Sequence, residues 1–405
     1  MLVLTDTDAL AAYCTAQRKA DFVTVDTEFV RDTTYWPKLC LIQIAGPEEP
    51  AIIDPLAPGI DLSPLLELFD DPEVLKVFHA ARQDLEIFYH LTGRLPAPVF
   101  DTQVAAMVCG FGDQVSYEKL ASALANARID KSARFTDWSR RPLGRREYEY
   151  ALSDVTHLRT IYAKLRTRLK RNGRAHWLDE EMATLTDPQT YDLTPENAWL
   201  RLKSRSQAPR YLAALQALAA WREREAQRRD VPRNRVIRDE QIYDLAAKLP
   251  KTPEALARTR GLNAEVARGR IGRALLAEIE AVAALPPEEL PKPLKNEQVD
   301  VPQALLELLK VLLKHKCEKH DIAQRLVANT ADLEQIAVDD EAQVTALSGW
   351  RRKIFGEDAL ALKQGKLALA ARGDRVKLVR LSPDEPGNAV EAAKVPEAGA
   401  RSGVA

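Results

Sequence analysis

The segment Thr24-Val25-Asp26-Thr27-Glu28-Phe29 places two carboxylates two residues apart in a stretch otherwise suited to a buried β-strand. Side chains alternate across a strand, so Asp26 and Glu28 face one way and Val25, Thr27 and Phe29 the other. Acids set side by side in apolar surroundings oppose each other's ionisation, and a divalent cation is the usual resolution. Asp-x-Glu on a strand is therefore a candidate Mg²⁺ or Mn²⁺ site. Such hard cations take oxygen ligands, so neither histidine nor cysteine is needed.

The missing ligands have two sources further along. Asp84 follows Val77-Phe78-His79-Ala80-Ala81-Arg82-Gln83, at the start of a helix. Tyr150 and Asp154 stand four residues apart in a helical stretch and share one face. Phosphodiester hydrolysis at neutral pH needs a deprotonated water, a neutralised transition state and a stabilised leaving oxygen. Two cations ~3.5–4 Å apart can supply all three.

Taken in order, Asp26 and Glu28, then Asp84, then Tyr150 and Asp154, resemble the three motifs of the DEDD superfamily of 3′–5′ exonucleases. The tyrosine four residues before the last Asp is similar to the tyrosine subclass. Tyr35-Trp36-Pro37-Lys38-Leu39-Cys40-Leu41-Ile42-Gln43, after the first motif, resembles the ribonuclease D family in particular. Val344-Thr345-Ala346-Leu347-Ser348-Gly349-Trp350-Arg351 resembles part of a helicase-and-RNase-D C-terminal (HRDC) domain. The likeness extends over about residues 1–380.

This resemblance implies an RNase H-like, mixed-sheet α/β exonuclease domain followed by two small all-α HRDC-like domains. The implied activity is metal-dependent 3′–5′ exoribonuclease action releasing nucleoside 5′-monophosphates, with tRNA precursors and small structured RNAs as partners. Asp26 would bridge two divalent cations (Mg²⁺ or Mn²⁺). Glu28 and Asp154 would complete the one that activates water, and Asp84 would hold the second. Tyr150 would orient the attacking water, since a phenol of pKa ~10 is a poor general base. Thr27 and Phe29 would flank the 3′-terminal nucleotide.

The elements that must position these groups follow from periodicity. Val23–Val30 and Lys38–Ala45 read as a hairpin, Ala51–Asp54, Val74–Phe78 and Pro98–Phe100 as further strands. Leu62–Phe69, Gln83–Leu91, Thr102–Cys109 and Arg145–Asn172 read as helices. Strand signals then cease. The expected organisation is an exonuclease domain over 1–190, a linker over 191–208 and an HRDC-like domain over 209–285. A proline-rich linker over 286–299, a second HRDC-like domain over 300–381 and a disordered tail over 382–405 complete it. The two helical blocks repeat at roughly 90-residue spacing. Asp230-Val231-Pro232 matches Asp321-Ile322-Ala323, and Arg260-Gly261-Leu262 matches Ser348-Gly349-Trp350.

Composition narrows the alternatives. With 46% hydrophobic and 29% charged residues the chain reads as soluble, and no run approaches a membrane span. The N-terminus lacks a signal-peptide pattern, and four scattered cysteines suit a cytoplasmic protein. Nothing demands an obligate protein partner. Net charge is −1, yet residues 128–174 hold 14 basic against 5 acidic side chains, and residues 199–240 hold 11 against 5. The first run flanks Tyr150 and Asp154, which suits a phosphate-tracking groove. Asp101 reads as an N-cap, with a supporting place behind the site as the alternative. His79 reads as a packed histidine, and His157 could face the site. The rival functions are a DNA-directed exonuclease of the same superfamily and a non-catalytic RNA-binding protein.

Overall fold

The computed structural model describes residues 1–130, 132–133, 135–292 and 301–381. The end of the expected proline-rich linker (293–299) and the expected tail (382–405) lie outside the described residues. Residues up to 292 form one compact unit, and 301–381 a second.

The first unit begins with β1 (Leu2–Leu4) and α1 (Thr7–Gln17), followed by β2 (Phe22–Val30), β3 (Lys38–Ala45) and β4 (Ala51–Ile53). Then come α2 (Ser63–Asp70), β5 (Leu75–Phe78), α3 (Arg82–Thr92), β6 (Val99–Asp101), α4 (Thr102–Val108), α5 (Tyr117–Leu120), α6 (Arg145–Asn172) and α7 (Asp179–Leu185). The six strands are ordered β1-β4-β3-β2-β5-β6; β3 runs antiparallel to both neighbours and the other pairs are parallel. This is the mixed sheet expected, with β1 and α1 added at its start. Strand β1 has three residues and depends on β4, distant in sequence, so no local signal marks it.

Alternation along β2 divides the sheet's two coverings. Val23, Val25 and Phe29 pack with residues of α1, α2 and α3. The opposite face meets α6, where Leu41 and Ile52 pack with Ala151 and Trp138. Thr24 joins strand to helix by donating its hydroxyl to the Val155 carbonyl (2.8 Å), next to Asp154. Beyond Thr24, β2 is no longer paired with β5, while its pairing with β3 runs on to Val30 with a bulge at Glu28/Phe29. One edge of β2 is thus open where the acids lie.

The linker expected over 191–208 is not a free tether. It carries a short 3₁₀ helix at Pro195–Arg201, and Ala198 and Leu202 are buried against α8 (Pro209–Arg229). After α8 come α9 (Arg233–Val236), α10 (Asp239–Lys248), α11 (Pro253–Leu256), α12 (Ala264–Arg268) and α13 (Arg270–Ala284). The β2–β3 loop reaches this module: Tyr35 and Trp36 N–H groups both donate to Asp230 (3.0 Å each), and the Tyr35 hydroxyl contacts buried Glu223. Arg201 and Arg233 also pair with Glu223.

The second unit contains α14 (Gln303–His320), α15 (Thr330–Val338), α16 (Gly349–Arg351), α17 (Glu357–Lys363), and a hairpin of β7 (Leu367–Arg372) and β8 (Arg375–Arg380). The helical reading of this block therefore stops at Lys363. Leu-Ala-Leu-Ala-Ala has helical composition, but Gly373-Asp374 is a two-residue turn with Gly373 at φ 62°, and that closes a hairpin.

The repeated features recur in both modules. Helices α8 and α14 each end on a left-handed aspartate, Asp230 (φ 48°) and Asp321 (φ 53°), with the next N–H returning to Ala226 and Cys317 respectively. Gly261 (φ 84°) and Gly349 (φ 48°) share a positive φ. An ion pair joins each first helix to the last: Glu225 with Arg270, and Lys316 with Asp358, its polarity reversed.

One arginine of the basic run before α6 is turned toward the sheet. Arg141 makes a two-point ion pair with buried Asp54 (2.6 and 2.7 Å) and donates to the Cys40, Trp138 and Arg140 carbonyls. Arg140 pairs with Glu147 and Arg145 with Glu149. Arg141 thus ties the loop before α6 to the sheet. Arg141→Ala strands Asp54 without its partner and is expected to lower stability by about 2–4 kcal/mol, read by chemical denaturation.

Candidate active site

Asp26, Glu28 and Asp154 converge: each offers a carboxylate oxygen, and the three oxygens lie within 4.8 Å of one another. Two come from one face of β2 and the third from α6 packed on that face. Asp84 is not in this triple. It sits buried in the first turn of α3, where the Thr27 hydroxyl donates to it across the open edge of β2. The acids thus approach the strand from two sides, three on the α6 side and one on the α3 side.

Burial sets their protonation. Desolvation, then the charges of Asp84, Asp154 and Glu28, pushes the Asp26 carboxyl well above the usual range. Desolvation, then Asp154 and Asp84, lifts Glu28 to about 8. Desolvation raises Asp154 to about 7. It also takes Asp84 to about 7, although the Thr27 hydroxyl bond opposes the rise. At neutral pH such a group retains protons unless a cation replaces them. An all-oxygen donor set of this charge fits Mg²⁺ or Mn²⁺.

Tyr150 and Asp154 line a cavity of about 320 Å³ together with Asp26, His79, Ser116, Tyr117, Glu118, Ile129 and Leu158. Tyr150 also stacks against buried Trp138 (centroids 6.1 Å apart). The Tyr117 hydroxyl donates to the Ser153 carbonyl (2.7 Å), tying the start of α5 to α6. Sequence reasoning missed Tyr117 because nothing local connects it to the acids. His79 does line the cavity, and it is also engaged behind it: Nδ1 lies 3.0 Å from the Thr102 hydroxyl, and burial lowers its pKa. His157 is not among the cavity residues.

Thr27 and Phe29, the expected substrate contacts, share the β2 face that carries Val23 and Val25. Thr27 is buried and its hydroxyl is committed to Asp84, so its side chain helps position that acid. Phe29 is partly buried and packs on the core under α1–α3. Both follow from their place on the β2 face opposite Asp26.

Asp101 caps α4 as expected and does more. Its buried carboxylate accepts from Gln103 and Val104 (2.7 and 3.4 Å) and also from Ala80 and Ala81 (3.1 and 2.8 Å). Ala80 holds a left-handed φ of 60°, a strained state for a residue with a Cβ. Asp101 therefore fixes the turn that starts α3 and aims Asp84. Two larger clefts, of about 650 and 850 Å³, lie against the 209–284 module, and the carboxylate triple is in neither.

A 3′–5′ exonuclease family model matches residues 1–170, and an HRDC domain model matches residues 212–279. The chain is 51% identical over 379 residues to the ribonuclease D of Gluconacetobacter diazotrophicus, covering 93% of this chain and 96% of that protein. It is 52% identical to the ribonuclease D of Acidiphilium cryptum, covering 94% and 97%. The crystal structure of Escherichia coli RNase D, described as an exoribonuclease involved in structured RNA processing, superposes with a TM-score of 0.78 at 34% identity, covering 90% and 98%.

Two outcomes follow from the site. A carboxyl with a raised folded pKa contributes stability at low pH that is lost as pH rises through that pKa. With EDTA present, Tm should therefore fall between pH 6 and 8.5 as Asp84, Asp154 and Glu28 ionise, and millimolar Mg²⁺ should flatten the fall. A Tm that rises over this range in EDTA would contradict the assignment. Asp101→Ala should cost about 2–4 kcal/mol by leaving buried N–H groups without an acceptor, and the loss is read by denaturant titration.

Proposed function

The chain belongs to the ribonuclease D family, and we propose that its four acids hold two divalent cations with which it shortens RNA from the 3′ end. It is a 3′–5′ exoribonuclease of the DEDD superfamily and uses divalent metal. The observation that carries the finer reading is the split of the acids: Asp26, Glu28 and Asp154 within 4.8 Å of one another, and Asp84 beyond the strand edge.

Asp26, Glu28 and Asp154 would hold one cation, and Asp26 with Asp84 the other. Bound there, the cations supply Lewis acidity and lower the pKa of water. The remaining work belongs to side chains. Tyr150 lines the cavity beside Asp154, on the same helix face, and orients the attacking water. Stacking on Trp138 limits how its ring can turn. His79, Tyr117 and Ile129 wall the cavity and exclude bulk water from the scissile bond. The product is a nucleoside 5′-monophosphate.

Small structured RNAs, tRNA precursors among them, are the substrates this reading favours. The second helical unit is a diverged copy of the HRDC module, supported by its matching left-handed Asp cap and positive-φ glycine. The two modules extend the contact with RNA. No helix is long and apolar enough to cross a membrane among the described residues.

A 5′-labelled single-stranded RNA with Mg²⁺, Mn²⁺ or EDTA tests the reading, beside DNA of the same sequence. A metal-dependent ladder from the 3′ end on RNA is expected. Asp26→Ala should abolish it, by at least about 10³-fold, while RNA binding stays within a few-fold. Tyr150→Phe should lower kcat by about 10- to 100-fold with little change in KM. Near-normal hydrolysis by Asp26→Ala would sink the metal assignment.

A further inference from the structure

The hairpin β7–β8 sorts its residues by face. The register pairs Ala368 with Val379, Ala370 with Lys377 and Arg372 with Arg375, which places Arg372, Arg375 and Lys377 on one face. Leu367, Leu369, Val376 and Leu378 occupy the other, and each is more buried than its cationic neighbours. All three cations are exposed, and among the described residues no ion pair engages them, whereas Arg380 on the apolar face pairs with Asp358. Arg372 stands directly opposite Arg375, with Lys377 one same-face step along. Like charges placed across a strand pair destabilise it, so this arrangement costs the isolated hairpin stability that a polyanion would restore.

We propose that this face of the hairpin, through Arg372, Arg375 and Lys377, is a binding site for the phosphodiester backbone of RNA. The proposal rests on the exoribonuclease reading for the identity of the polyanion. Three cations on a narrow two-stranded ribbon suit a sugar-phosphate chain, since guanidinium groups fork onto phosphate oxygens and lysine adds a point charge. Aromatic side chains are absent from the ribbon, so contact is to backbone charge and not to bases.

The test uses the full chain and the triple variant Arg372→Gln/Arg375→Gln/Lys377→Gln. Binding of a 24-nucleotide RNA in EDTA is followed by anisotropy across a KCl series, and Mg²⁺-dependent hydrolysis of a tetranucleotide is measured separately. The slope of log affinity against log salt should fall by about 2, from three lost contacts at about 0.7 each. Affinity at low salt should fall on the order of tenfold, and tetranucleotide hydrolysis should not change. The charge-preserving variant Arg372→Lys/Arg375→Lys should keep the original slope. An unchanged slope in the triple variant overturns the proposal. So does an unchanged slope with lost binding to phosphatidylserine vesicles, which would assign the face to a membrane surface. Absence of tetranucleotide hydrolysis by the unaltered protein would instead count against the exoribonuclease reading, and the binding series would still decide the hairpin.

Discussion

Four carboxylates gathered at one strand edge are the constraint on which the rest of the first unit depends. Burial raises all four pKa values, and the charges of the neighbouring site acids add to the rise at Asp26 and Glu28, so the cluster is unfavourable as anions without a cation. The fold keeps it by fixing the four acids from three elements. Asp26 and Glu28 are set by the pleat of β2. Asp154 is set by α6, held on that strand through Thr24 and Val155. Asp84 is set by the start of α3, which Asp101 clamps and Thr27 meets. An open strand edge lets Asp84 reach the group at all, because continued pairing of β5 with β2 past Thr24 would fill that space.

The same logic explains where basic side chains went. Near the site, Arg141 anchors the segment before α6 to Asp54. In the 209–284 module, Arg201, Arg233 and Arg270 meet the buried acids Glu223 and Glu225. Buried acids need such partners, whereas among the described residues no lysine or arginine pairs with the site acids, and this contrast suits a site that takes a cation.

What the sequence reveals depends on how local the cause is. Asp26 with Glu28, and Tyr150 with Asp154, were legible because strand and helix periods put each pair on one face. The mixed sheet was legible from its alternating runs. Asp101's second role was not, because two of its four hydrogen-bond partners come from a turn some 20 residues earlier. The bond of Thr27 to Asp84 was not legible, because it joins a strand face opposite Asp26 to a helix 57 residues on. The pairing of Arg141 with Asp54 was not legible because a charge count carries no direction. The C-terminal hairpin read as helix because Leu and Ala are strong helix formers, though Gly373-Asp374 held the turn signal.

The most direct measurement is calorimetric titration of Mn²⁺ into the metal-free protein at pH 7 in two buffers of different ionisation enthalpy. If the acids are held protonated by burial and repulsion until a cation binds, the two apparent enthalpies differ, and about one or more protons leave per protein. Binding without proton release, or no binding, would contradict the account, since the cluster would then be stable as anions and not built around a divalent ion.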